Sequence, residues 1–549
     1  MLLQNKSLSI EQATGQKLML AFKGKDGLSI EVREAIRKYR PAGFTLFRAF
    51  NIESPEQVHT LTQTLQQAAR EQGLPAFLIA ADQEGGQLMS VGEGATPLPG
   101  NLALGAAGSA ELARRAGEVL GRELAAMGIN VDYAPSCDVN INPQNPVIGT
   151  RSFGEDPQSV AELAAAVTAG IQASGVAATA KHFPGHGDTA SDSHHGVPAV
   201  PHALDRLWEV EFPPFQAAIR AGARLVMTAH LALPAVTGRE DLPSTLSPAV
   251  LKGLLRKELG FDGVIVSDAL DMKAIQQGEG LGEEAVHAAE AGCDLLLLTS
   301  DPADHARVYQ SLLEAIQGSR LDSAEVVASA GRVLALKEWL ATRPPPPDLS
   351  VVGSASHQEV AAEIAAKSVT LVRDKAHNLP LHLGDGQRLA VILPQPVDLT
   401  PADTSSHVTP TLAQALRSYH RWVDEIILPH IPHDEDIAAV LEQIRGCQAV
   451  VLGTINAFSQ PGQVAGQVAG QVALVQAVLR TGLPTVCVAL RMPYDLAAFP
   501  EAQTYLCTYS ILEPCMHALA RVLFGETSAS GRLPVSIPGI YPRGYREEQ

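Results

Sequence analysis

The chain has 549 residues, of which 46% are hydrophobic and 18% charged, with a formal net charge of −18. That length exceeds what one hydrophobic core serves, so two or three domains are expected. The acidic balance leaves no basic stripe to neutralise phosphates, which argues against nucleic-acid or anionic-membrane partners.

The opening segment, "MLLQNKSLSIEQATGQKLML", lacks a positive n-region followed by an apolar h-region, so no signal peptide is expected. No run approaches the roughly 18 to 20 apolar residues that span a bilayer. The six cysteines, Cys137, Cys293, Cys447, Cys487, Cys507 and Cys515, are scattered and form no C-x-x-C. Most lie in or beside apolar runs, as small core residues do, and a reduced, cytoplasmic chain is expected.

From the N-terminus to about residue 342, short apolar runs alternate with helical stretches. The runs are "AGFTLF" (42–47), "AFLIAAD" (76–82), "NVDYAP" (130–135), "VAATAKH" (176–182), "ARLVMTAH" (223–230), "GVIVSD" (263–268) and "CDLLLLT" (293–299). Between them lie segments such as "SAELARRAGEVLGRELAAMG" and "SPAVLKGLLRKELG". In the second, Ser247 is the expected N-cap and Pro248 the first helical residue. Continuous apolar runs suit strands buried on both faces, as in a parallel sheet covered by helices. Seven or eight such units predict an α/β fold, a (β/α)8 TIM-like barrel. Polar residues recur where these strands run out: Asp82, Asp138, Lys181, His182, His230 and Asp268. A barrel gathers those ends on one face, whereas a doubly wound sheet would use only its switch point.

The prolines of "RPPPPDLS" (343–350) predict a stiff linker between a barrel domain at 1–342 and a smaller α/β domain at 351–549. Within the latter, "PGQVAGQVAGQVALVQ" is read as a helical approach with small residues on one face. The terminal "GETSASGRLPVSIPG" is read as a loop and a last strand.

The chemistry concentrates in "KHFPGHGDTASDSHHG" (181–196), which holds four histidines. A metal site, an acid/base site and a bland polar loop all compete for it. His182 and His186 have helical metal-ligand spacing, but Pro184, Gly185 and Gly187 break the helix, so no metal is expected. No H-E-x-x-H, Walker A or G-x-G-x-x-G pattern is present, and no cofactor is expected. A carboxylate closing an apolar strand is costly unless hydrogen-bonded or used, and both Asp82 and Asp268 stand at such ends. Asp268 as nucleophile and a histidine of the loop as proton donor would meet the needs of a retaining glycosidase. Histidine, with a pKa near 6.5, holds a proton at neutral pH, and a neighbouring aspartate would orient it.

Five ordered segments carry a resemblance: "DQEGG" (82–86), "NPVIGTRSFGEDP" (145–157), "KHFPGHGDTASDSH" (181–194), "STLSPAVLKGLLRKELGFDGVIVSDALDMKAI" (244–275) and "AGCDLLLL" (291–298). They resemble glycoside hydrolase family 3, in its two-domain β-N-acetylglucosaminidase branch, whose second domain is an α/β sandwich. The resemblance implies an exo-acting retaining β-N-acetylhexosaminidase for cell-wall or chitin fragments, acting on small glycosides without metal or cofactor. It implies Asp268 as nucleophile, His194 as acid/base with Asp192 as its dyad partner, and Asp82, Arg151, Lys181 and His182 as sugar-binding residues. The D-S-H loop distinguishes this branch from glucose- and xylose-acting members, which take a glutamate acid/base from a later domain. One stretch departs from the pattern: Gln87 and Ser90 stand where arginines are usual, and neither supplies a forked cation. β-Glucosidase-like specificity, phosphorolysis and a degenerate sugar-binding role are the alternatives.

Overall fold

The computed structural model describes residues 8–190, 196–275, 280–459 and 470–548. The first half is built on eight parallel strands: β1 (Leu18–Leu20), β2 (Gly43–Thr45), β3 (Leu78–Ala81), β6 (Val131–Asp132), β7 (Ala177–Phe183), β8 (Leu225–Thr228), β9 (Val264–Val266) and β10 (Leu296–Leu297). A short antiparallel hairpin, β4 (Gln83–Gly85) and β5 (Leu88–Met89), follows β3. The neighbour order is β10-β1-β2-β3-β6-β7-β8-β9, and a bridge between Val266 and Leu295 closes the ring. The expected (β/α)8 barrel is therefore present.

Successive side chains on a strand point to opposite faces. Along β3, Leu78 and Ala80 fill the barrel interior with Met19, Val131, Tyr133 and Met227, while Ile79 and Ala81 pack outward under the helices. Both faces are apolar, which is why the sequence shows unbroken runs rather than alternation. The strand β1 is not among the apolar runs expected from the sequence, which begin at residue 42. It has three residues and follows the six-residue helix Ile10–Gly15, too short for periodicity to register.

Helix Ala110–Ala126 is capped as its sequence suggests, Leu112 N–H donating to Ser109 Oγ at 3.3 Å. The helix after Ser247 differs from expectation. It runs Ala249–Glu258 with Pro248 as its N-cap, and it ends on a wide i→i−5 bond from Leu259 N–H to Leu254. Val250 N–H still donates to Ser247 Oγ at 3.4 Å.

The second half holds a six-stranded sheet of β11 (Thr370–Asp374), β12 (Leu389–Pro394), β13 (Val423–Leu428), β14 (Ala449–Thr454), β15 (Thr485–Ala489) and β16 (Thr504–Cys507). Its order is β11-β16-β15-β14-β12-β13, with β11 antiparallel and the rest parallel. Leu389, Val391 and Leu393 pack on one face with Leu412 and Leu519. Ala390 and Ile392 pack on the other with Val440 and Val475. That is the α/β sandwich. The Gln-Val-Ala repeat ends in helix Gly470–Leu479, and its earlier copies lie outside the described residues.

Among the contacts that tie the halves together, two lie away from the strand ends. Glu123, on the barrel, accepts from Gly353 N–H at 3.0 Å and from His357 Nδ1 at 2.8 Å. The C-terminal segment returns to the barrel, where Glu155 accepts from Ser536 N–H at 2.9 Å and pairs with its hydroxyl. This segment forms no strand of either sheet, contrary to the sequence reading. Pro534 and Pro538 remove ladder donors, and only an isolated Ile537–Tyr541 bridge remains. All six cysteines are buried and unpaired. Among the described residues, no helix is long and apolar enough to cross a membrane.

Candidate active site

The C-terminal ends of the barrel strands open into a cavity of about 700 Å³. Asp82 stands at the end of β3, and the chain then turns through Gly85 and Gly86, both at positive φ (82° and 63°). A Cβ at Gly86 would lie 3.0 Å from the Pro99 carbonyl, so both conformation and space require glycine there. The turn brings Glu84 inward beside Asp82.

Glu84 is the buried hub of the site. It pairs with Arg151 at 2.7 Å and with Lys181 at 2.8 Å, all three side chains being almost wholly buried. Lys181 Nζ also donates to Asp82 Oδ1 at 2.6 Å. Burial alone would raise the pKa of Glu84, but Arg151 and Lys181 overcome it and hold the carboxylate at about 2. The same carboxylates keep Lys181 charged against its own desolvation, raising its pKa. Arg151 is held by the turn Gly149–Arg151, its carbonyl accepting from Asn101 Nδ2 at 2.6 Å.

His182 links this cluster to a second one. Its Nε2 meets Arg151 Nη2 at 3.1 Å and its Nδ1 meets Asp138 Oδ2 at 2.7 Å. Arginine can only donate, so Nε2 accepts and Nδ1–H donates to Asp138. Burial, reinforced by Arg151 and Lys181, pushes the His182 pKa well below its usual 6.5, and the imidazole is neutral. Asp138 also accepts from His186 N–H at 2.6 Å and Ser136 Oγ at 2.9 Å. The unfolded chain would protonate this histidine below about pH 6.5 while the native state would not, so its contribution to stability falls as pH drops. Selective ¹⁵N-histidine labelling is expected to show a neutral His182 imidazole at pH 5; a His182 that titrates near 6.5 would contradict this geometry.

Asp268 follows β9, and its Oδ1 accepts from Ala269 N–H at 2.8 Å. His230 braces the same backbone, with Nε2 at 2.9 Å from the Ala269 carbonyl and Nδ1 at 2.8 Å from Thr245 Oγ1. Asp82, Arg151, Lys181, His182 and Asp268 all line the one cavity, so five of the sequence-derived site residues come together. His194 and Asp192 lie outside the described residues. Among the described residues, no group of three or more histidines, cysteines, aspartates or glutamates is arranged to hold a metal ion.

Sequence reasoning missed two contributors. One is Glu84, hidden in "DQEGG" because the strand-end signal points to Asp82. The other is the loop of the second half after β12. Asp398, Pro401, Ala402, Asp403, Thr404 and His407 line the cavity opposite the barrel residues. Thr404 N–H donates to the Gln87 carbonyl at 2.8 Å, and Met89 N–H donates to Thr404 Oγ1 at 3.2 Å, stitching loop to hairpin.

The same contact accounts for Gln87. Its side-chain carbonyl accepts from Arg491, which also pairs with Asp403 at 2.8 Å, both being buried. An arginine at 87 would bring a second cation against Arg491. Gln87→Arg is expected to destabilise the protein by about 1–3 kcal/mol, read as a lower urea midpoint.

A ring of strand-end carboxylates and buried cations on a closed parallel barrel is a frame suited to glycoside hydrolysis, and comparison with known proteins places the chain in that class of enzyme. Residues 9–336 match the glycosyl hydrolase family 3 N-terminal domain, and residues 369–543 match the family's C-terminal domain. The chain belongs to this family. Beta-hexosaminidase A of Pseudoalteromonas piscicida is 32% identical, with 96% of this chain and 97% of that protein covered. A beta-N-acetylglucosaminidase/beta-glucosidase of Cellulomonas fimi is 31% identical, covering 84% of this chain and 83% of its own. Among solved structures, a family 3 beta-N-acetylglucosaminidase from Paenibacillus sp. str. FPU-7 is similar at 39% identity and a TM-score of 0.89, covering 96% of this chain and 99% of that one.

Proposed function

We propose that the protein is an exo-acting retaining β-N-acetylhexosaminidase that removes terminal β-linked N-acetylglucosamine from cell-wall or chitin fragments. The observation that carries this reading is the convergence of Asp268 with Asp82, Arg151, Lys181 and His182 on one cavity. Full-length similarity to proteins named as hexosaminidases supports the sugar.

In this reading, the Asp268 carboxylate attacks the anomeric carbon. The C1–O bond breaks as the His194 imidazolium protonates the leaving oxygen, and a glycosyl ester on Asp268 results. Neutral His194 then takes a proton from water, whose oxygen attacks C1 and displaces Asp268, so configuration is retained. Asp192 orients the imidazole and stabilises its charged form. Lys181 and Asp82, fixed against each other, grip sugar hydroxyls, while Arg151 and the neutral His182 form the wall beneath. Glu84 acts through Lys181 and Arg151 rather than on the sugar.

The test is turnover of p-nitrophenyl β-N-acetylglucosaminide and β-glucoside, with and without phosphate, with the first-formed anomer followed by NMR. Preferential release from the N-acetylglucosaminide, giving β-N-acetylglucosamine first, is expected. Preference for the glucoside would overturn the sugar, and sugar phosphate as product would make the enzyme a phosphorylase.

A further inference from the structure

We infer that Arg48 of the barrel, with Asp398 of the second half, clamps neighbouring hydroxyls of the terminal sugar. This inference rests on the glycosidase reading above. Both residues line the active-site cavity, and neither belongs to a motif that carried the sequence reading.

Arg48 opens the short helix Arg48–Asn51 directly after β2, at the active end of the barrel. One of its guanidinium hydrogens is used, Nη1 donating to the Met89 carbonyl at 3.2 Å. The guanidinium lies over Gly92, where any Cβ would collide with Nη1. Gly92 has no positive φ, and a Cβ there would displace only the tip of the arginine, so the glycine leaves the guanidinium its present place. The side chain is half-buried, yet among the described residues it forms no ion pair within 4.0 Å. Burial lowers its pKa, and Asp398 and Glu93 act in the opposite sense from further away. A partly desolvated cation with unused donors, facing a cavity, is poised to receive a ligand's acceptors.

The position suits the sugar. Ser90 N–H donates to the Asp82 carbonyl at 3.0 Å, and the carbonyl of the preceding residue, Met89, accepts from Arg48. Arg48 and Asp82 therefore reach one wall, where Ser90 is small, buried and uncharged. In the ring, β10 and β1 separate β2 from β9, so Arg48 faces sugar positions away from the carbon that Asp268 would attack. Asp398 is itself held, both its oxygens accepting from Ser406, at 2.8 Å from N–H and 2.7 Å from Oγ.

A guanidinium only donates and a carboxylate only accepts, whereas a hydroxyl does both. Lining the same cavity, the two together can satisfy the donors and acceptors of a neutral pair of neighbouring hydroxyls. An anionic substituent would gain Arg48 but meet Asp398, so the clamp favours an uncharged sugar.

The test compares wild type, Arg48→Ala, Arg48→Lys and Asp398→Asn on p-nitrophenyl β-N-acetylglucosaminide and its 3-deoxy and 4-deoxy analogues. Calorimetric binding of N-acetylglucosamine and of glucose is measured on the same proteins. Arg48→Ala is expected to lose about 10- to 100-fold in kcat/KM, mostly through KM. It should also lose the wild type's discrimination against one deoxy analogue. Arg48→Lys should recover only part of this, since an ammonium lacks the fork. Wild-type kcat/KM in Arg48→Ala, or unchanged discrimination against both analogues, would overturn the clamp. If the wild type prefers glucosides, the same comparison on deoxyglucosides reads the clamp independently of the activity. If the wild type binds neither sugar, the clamp fails together with that activity.

Discussion

Asp268→Ala is expected to lower kcat for β-N-acetylglucosaminide hydrolysis by about 10⁴- to 10⁶-fold, the scale seen when a catalytic nucleophile is removed. Its carboxylate is oriented by Ala269 N–H, and that backbone is braced by His230. The loss should therefore be chemical rather than structural, with thermal stability close to wild type. Azide can enter the space left by the side chain. It is expected to restore turnover of an activated substrate and to give the inverted glycosyl azide, since one displacement replaces two. Activity within tenfold of wild type would remove Asp268 from the mechanism.

The largest effect on stability is expected at Glu84. Replacing it with alanine leaves Arg151 and Lys181 buried around a missing charge, and breaking such a pair from one side costs about 3–5 kcal/mol. The pH dependence has a definite sign. With its pKa held at about 2 against an ordinary 4.5, Glu84 contributes stability that is fully present above about pH 4.5. That contribution is lost as pH falls toward 2. The gap in urea midpoint between wild type and Glu84→Gln should therefore narrow steadily from pH 5 to pH 2. A constant gap would mean that the cluster is not held by charge. Activity should fall as well, because Lys181 and Arg151 lose the anchor that fixes their geometry, and misplacement by about 1 Å costs on the order of 10²-fold.

The barrel was legible because strands buried on both faces write continuous apolar runs, and because strand-end polar residues mark the face where they converge. The three residues of β1 carried no such signal. Asp82, Lys181, His182 and Asp268 were legible as chemistry interrupting apolar strands, and Arg151 through a family motif. Glu84 was not, since nothing local shows that the glycine turn folds it back beneath Asp82. The loop around Asp398 and Thr404 was illegible for a different reason. It meets Gln87 and Met89 across more than three hundred residues, and no periodicity records such a contact. The missing arginines at 87 and 90 were read as a loss of positive charge. The structure puts Arg491 beside Gln87 and Arg48 on the carbonyl next to Ser90, so cations reach this wall from elsewhere in the chain.

The most direct test of the central claim is to trap the glycosyl-enzyme. Incubation with a 5-fluoro-β-N-acetylglucosaminyl fluoride should slow breakdown of the ester more than its formation, and intact mass followed by peptide mapping would locate the adduct. One fluorinated N-acetylglucosaminyl group on the peptide containing Asp268, absent from Asp268→Ala, is the expected result. Turnover without any adduct, or an adduct on another residue, would contradict the assignment of Asp268 as the nucleophile.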